Sequence, residues 1–350
     1  MAGTGTAKPR IDWIDSVKGM TIILVVHMHA TLGTGEALGR MPPLMGALAE
    51  FVMPFRMPLF FLVAGLFAAR ALAGDLREFI DGKIVHFAYF YLLWSAIQLG
   101  LKFALGGAGN HPVTLQDVLL VPVEPFSTLW FIYALAVFFA VTRLARNVPK
   151  PILFAAALAL YFSGLHTGWT IPDEFAQRYV FFLSGVYGAP YIFQIAGWAR
   201  FHPLKAVTLA LALLASVGTV VFSGLVALPP FALLMGYGGA LAAIMLVSLL
   251  AAKGLARPLA YTGAHSLHIY LAFFLPMAAA RITLVKLGIG NGDLVAFAAT
   301  AAGVLLPLLA FRLVGKTPLA FLFVRPAAFR LGGAKGAHPA AKTGPARAAA

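Results

Sequence analysis

The chain has 350 residues, 61% hydrophobic and only 11% charged, with a mean hydropathy of +0.89. Soluble domains carry about 25% charged residues, so this composition excludes a soluble globular protein and fits a membrane-embedded one with room for about ten spans. The net charge of +14 does not call for nucleic acid, because Lys and Arg collect in the cytoplasmic loops of membrane proteins, and the lack of cysteine excludes thiolate metal sites.

Residues 1–13 read as a cytoplasmic lead. Asp12 and Asp15 interrupt the basic region and apolar segments follow throughout, so the first span is retained rather than cleaved as a signal. Span one is expected at about 14–33, ended by Gly33 and Gly35. Span two, at about 45–69, contains Pro54 and Pro58, which should break or kink it around Arg56. A charged loop, 70–83, leads to span three at about 84–105. The stretch 106–127, with His111, Asp117, Glu124 and three prolines, reads as an external loop. Spans four to ten are expected at about 128–142, 151–165, 178–197, 206–226, 231–252, 264–284 and 294–313.

The result is an all-α integral membrane protein, a bundle over 14–315 with both termini cytoplasmic in the inner cell membrane. A basic tail, 316–350, is rich in Ala, Gly and Pro and should be disordered from about Gly332. The charges support this topology. Of 26 Lys and Arg, only Arg40, Arg56, Lys102, Arg178, Arg281 and Lys286 fall outside the segments assigned to the cytoplasmic side. Re-entrant segments can shift the count by one or two. No internal repeat is evident.

The chemistry concentrates early. His29 lies within the first span, and an intramembrane ionisable residue is by default a functional hypothesis. Residues eleven apart on a helix differ by only about 20° from whole turns and by about 16 Å in height. Lys18 and His29 therefore share a face, with Ile22 and Val25 between them and Asp15 nearby. His27 points about 160° away and reads as structural. Because His27 and His29 do not converge, no metal is expected. Arg56, costly at membrane depth, offers an anion or carbonyl contact; its plainer reading is a salt bridge with Glu50 or another carboxylate. Lys83 and His86, at i and i+3, are placed to grip a phosphate together. Trp130 reads first as an interfacial anchor, and Ser266, His268 and Tyr270 form a polar cluster in span nine.

These residues also match a known pattern. Lys18, ten residues and then His29 resemble the basic residue–X10–His signature of acyltransferase family 3, integral-membrane O-acyltransferases. Met57-Pro-Leu-Phe-Phe-Leu-Val-Ala-Gly65 is similar to the family's second-span segment, Leu129 to Ile132 to its "LWFL" segment, and Gly263 to Leu271 to its late "SLxIYL" segment. Together they cover roughly 10–315. There are departures. Arg56 stands where many members have histidine, Ala64 where serine is common, Lys83 to His86 where a basic RxxR is frequent, and Phe273 where a histidine often closes the late segment.

The resemblance implies transfer of an acyl group, often acetyl, from coenzyme A to a hydroxyl on a carbohydrate, glycolipid or related acceptor. Lys18, Lys83 and His86 would hold the acyl-CoA. His29 would act as general base or as a nucleophile that is itself acylated, and Arg56 would stabilise the oxyanion. Trp130, Ser266 and His268 would meet the acceptor. The lipid bilayer is the other expected partner, and the oligomeric state is left open. The competing reading is a transporter or flippase, with the same charges lining a substrate path.

Overall fold

The computed structural model describes residues 12–104 and 115–331, and every regular element among them is helical. The expectations for the extreme N-terminus, for His111 and for the tail from Gly332 lie outside the described residues.

Helix α1 (Asp12–Leu38) is longer than expected and runs through Gly33 and Gly35. Glycine at position 33 makes space rather than a turn, since a Cβ there would collide with the guanidinium of Arg281. Helix α2 (Pro43–Gly65) runs unbroken through Pro54 and Pro58, which corrects the expected break. Each proline withholds one amide, so the carbonyls of Glu50 and Pro54 lose a helical donor without the helix parting.

Next come α3 (Ala68–Ala73), α4 (Leu76–Phe79), a π-helical turn (Ile80–Val85) and α5 (His86–Ala104). The last three form one apolar run, Leu76–Phe103. After α6 (Leu115–Leu120), Ser127 at φ 55° turns the chain into α7 (Trp130–Leu144). The rest is α8 (Lys150–Phe162), α9 (Thr170–Phe201), α10 (Pro203–Phe222), α11 (Pro229–Ala252), α12 (Arg257–Ala264), α13 (Ser266–Ala272), α14 (Phe274–Lys286) and α15 (Gly292–Val314). Helix α9 absorbs residues 170–177, expected to be loop, and Glu174 pairs with Arg178 within it at 3.1 Å.

Among the described residues, eight helices are long and apolar enough to cross a bilayer, and α13 with α14 makes a ninth only as a pair bent by 53°. That much of the expected ten is supported. The bend has a local cause: Pro276 cannot donate to the Ala272 carbonyl and its ring crowds that oxygen, so the helix parts at Phe273. The expected span five, α8, has 13 residues against the roughly 20 a crossing needs. Its flanks nevertheless lie at opposite ends of the bundle. Arg143, closing α7, donates to the carbonyls of Leu72 and Gly74. Thr170, opening α9, donates to Glu124, just before the start of α7, at 3.1 and 3.2 Å.

Without a hydrophobic force between helices in lipid, small residues that let backbones meet decide the packing. Two glycine pairs do this. A Cβ on Gly263 of α12 would run into the Asp15 carbonyl, and one on Gly19 of α1 would run into the Leu259 carbonyl. Gly65 of α2 and Gly185 of α9 meet in the same way. Between these contacts lies an aromatic core that includes Phe61, Phe90, Phe138, Phe181, Phe182 and Phe273.

After α15 the chain folds back through short 3-10 turns at Pro318–Leu322 and Ala327–Phe329. This strap lies on the run from Asp81 to Trp94. Trp94 Nε1 donates to the Leu322 carbonyl at 2.9 Å, and the Tyr89 hydroxyl donates to the Phe321 carbonyl at 3.0 Å. The described residues therefore stay packed on the bundle through residue 331, and the boundary expected at 315 falls before this strap.

Gly263→Val is expected to lower stability by about 1–3 kcal/mol or more through overpacking. Gly197→Ala, on α9 where a Cβ meets nothing within 4 Å, should be neutral or stabilising by up to about 1 kcal/mol. Thermal unfolding of the two variants in one detergent checks the contrast.

Candidate active site

Helix α1 brings its row of residues to the bundle interior. Ile22 and Val25 are 0% and 5% exposed, so Lys18 and His29, on the same stripe, face inward as the helical period requires. Lys18 is not free. Its ammonium pairs with Asp15 at 3.6 Å and lies 5.5 Å from the Phe67 ring. It lines a narrow cavity of about 230 Å³ with Phe60, Phe131, Ser266 and Tyr270.

His29 is half-buried, its ring 5.4 Å from that of Phe273. It leaves no buried ring nitrogen unsatisfied and lies within electrostatic range of Arg56. His27 is 3% exposed; its Nδ1 meets the Thr31 hydroxyl of its own helix at 3.5 Å, and its Nε2 is buried with no hydrogen-bond partner among the described residues.

Arg56 is 8% exposed. Its Nε and Nη1 have no hydrogen-bond partner among the described residues. No ion pair with Glu50 forms. Glu174 and Arg178 are within electrostatic range, but they are bonded to each other. Arg56 lines a second cavity, of about 540 Å³, with Met28, Leu32, Glu50 and Met53. The two cavities are thus disposed alike on α1 and α2. On α1, Lys18 marks one and Met28 and Leu32 the other. On α2, Phe60 and Ala64 mark one, and Glu50, Met53 and Arg56 the other. Arg56 is itself in the wall of the second cavity, and His29 follows Met28 of that wall without lining either cavity.

The remaining expected residues divide between the two ends. Lys83 and His86 meet different neighbours. The π-turn widens the coil between them, so that the Lys83 ammonium lies 4.5 Å from the Phe139 ring of α7. His86 instead lines a third cavity with His268, Arg325 and Arg330. Ser266 is in the Lys18 cavity. Both expected acceptor contacts on α13 therefore lie with the basic groups, away from Arg56. Trp130 opens α7, its ring 6.2 Å from those of Phe61 and Phe131.

Arg325 and Arg330 were not singled out by sequence, and Tyr270 was read only as part of the polar cluster of span nine. Tyr270 donates to the Thr128 carbonyl at 2.5 Å and accepts from the Phe131 amide at 3.2 Å, locking α13 to α7 beside the Lys18 cavity.

An imidazole can deprotonate a hydroxyl, and a guanidinium with unpartnered donors within electrostatic range of it can receive the charge that develops on a carbonyl oxygen. Removing a buried, unpartnered charge relieves a desolvation cost. Arg56→Met is therefore expected to leave the melting temperature unchanged or raised, while Arg178→Met, which strands Glu174, should lower it. Differential scanning calorimetry of both variants checks this.

No curated protein and no solved structure matches the chain. A family model described as an acyltransferase domain matches residues 11–312, which takes in α1 to α15 almost entirely, with both cavities, His29 and Arg56. The chain belongs to acyltransferase family 3.

Proposed function

We propose that this membrane acyltransferase moves an acyl group, acetyl in the first instance, from cytoplasmic acyl-coenzyme A to a hydroxyl of a carbohydrate or glycolipid acceptor. The observation that carries the reading is Arg56, buried with two unpartnered nitrogens in the wall of one cavity and within electrostatic range of His29, while Lys18 lines a second cavity of different character along the same helices. The Lys18 cavity is narrow and aromatic, suited to a thin pantetheine arm entering past a cation. The Arg56 cavity is wider and walled by methionine and leucine, suited to an acceptor with an apolar part. The excess of Lys and Arg on the Lys18 side supports a cytoplasmic placement of that end and of both termini.

In this mechanism His29 takes the proton of the acceptor hydroxyl as its oxygen attacks the thioester carbon. The carbonyl becomes an oxyanion, and the free Nε–H and Nη1–H of Arg56 stabilise it. The C–S bond then breaks, the ester remains on the acceptor, and His29 returns its proton to the departing thiolate. Lys18, fixed by Asp15 and Phe67, holds the donor at the mouth. His29 is assigned the general-base role; its ring packs 5.4 Å from that of Phe273 and lies within electrostatic range of Arg56.

Membranes fed labelled acetyl-coenzyme A, with the product identified by mass spectrometry, test this. His29→Ala is expected to lower transfer by about 10²–10⁴-fold, the usual worth of a positioned general base, while His27→Ala stays within a few-fold of wild type. Full activity of a stably inserted His29→Ala protein would reject the mechanism. Movement of an acceptor across the membrane without consumption of acyl-coenzyme A would favour a transporter. Lys18→Gln should raise the KM for the donor more than it lowers kcat.

A further inference from the structure

The third cavity, of about 370 Å³, has a wall the family domain does not supply. Asp81, His86 and His268 come from within residues 11–312, whereas Phe323, Arg325 and Arg330 come from the strap beyond them. Its volume is within the range of small-molecule sites. It adjoins the Lys18 cavity: Leu267 lines both, and the consecutive residues His86 and Phe87 line one each.

The charges of the wall are arranged to receive an anion. Asp81 is its acidic member, and both carboxylate oxygens are engaged. Oδ2 accepts from Arg325 Nη2 at 2.6 Å, and Oδ1 accepts from the Leu331 amide at 2.8 Å. The Asp81 carbonyl takes Arg325 Nη1 at 2.8 Å. This pairing pins the strap and fixes the guanidinium while leaving Nε, on a side chain 8% exposed, with no partner. His268 Nδ1 is likewise buried and unpartnered, its ring stacked 4.0 Å from Phe311. Arg330 is half-buried in the same wall. Two guanidinium groups and two imidazoles around one neutralised carboxylate match the donor-rich sites that phosphate esters occupy.

We infer that the strap 318–331 completes a binding site for the phosphate-bearing nucleotide end of the acyl donor, gripped by Arg325, Arg330, His86 and His268, with the thioester arm passing Leu267 into the Lys18 cavity. Asp81 is a positioning residue, acting through Arg325. The inference rests on the acyl-coenzyme A reading above.

Isothermal titration of the full-length protein in detergent with adenosine 3′,5′-bisphosphate, the phosphorylated head of coenzyme A, tests the site without catalysis. Wild type should bind it, and Arg330→Ala should bind at least tenfold more weakly. His268→Gln, whose ring is already held by Phe311, serves as a second variant and should weaken binding several-fold. A wild type that does not bind the nucleotide, or binds inorganic phosphate as tightly, overturns the site. So do variants that both bind as well as wild type. A wild type that binds the nucleotide yet transfers no acyl group from any acyl-coenzyme A overturns the donor reading and leaves the anion site standing.

Discussion

The architecture hinges on the backbone contact between α1 and α12 at Gly19 and Gly263. Because no side chain separates the two helices there, α13, which follows α12 directly, is carried against the inner stripe of α1. Ser266 and Tyr270 then close the cavity that Lys18 opens. The Tyr270 hydroxyl ties the assembly to the start of α7, and Phe273, at the end of α13, reaches the His29 ring. A methyl group at either glycine would push these pieces apart together.

Arg56 is the opposite kind of feature, one that costs stability. A guanidinium buried among apolar helices with two of its nitrogens unpartnered is unfavourable unless something else requires it. Glu174 is near enough to compensate and is instead committed to Arg178. Unpartnered donors held in place beside a cavity are what electrostatic stabilisation of a developing oxyanion asks for.

Helical period alone placed Lys18, Ile22, Val25 and His29 on one inward stripe, because rotation per residue is nearly invariant in a long apolar helix. Proline and glycine were harder to weigh. Pro54 and Pro58 promised a break that α2 does not make, while Pro276 parts α13 from α14. The sequence shows a missing amide but not whether neighbours hold the helix straight around it. Gly33 looked like punctuation and is space for Arg281. The π-turn at Ile80–Val85, which changes the spacing between Lys83 and His86, leaves no mark in composition. The strap was read as tail from its Ala, Gly and Pro content. Phe321, Phe323 and Phe329 were the available signal, since three aromatics within nine residues have apolar surface to bury.

Helix α8 carries a consequence for the surrounding lipid. Its 13 residues reach about 20 Å, against a hydrocarbon thickness of about 30 Å. Acyl chains flanking Lys150–Phe162 must shorten or splay to meet it, at a fraction of a kcal/mol for each ångström of mismatch. A crossing this short is expected to dimple the bilayer around it, and a membrane built of shorter-chain lipids would accommodate it with less deformation.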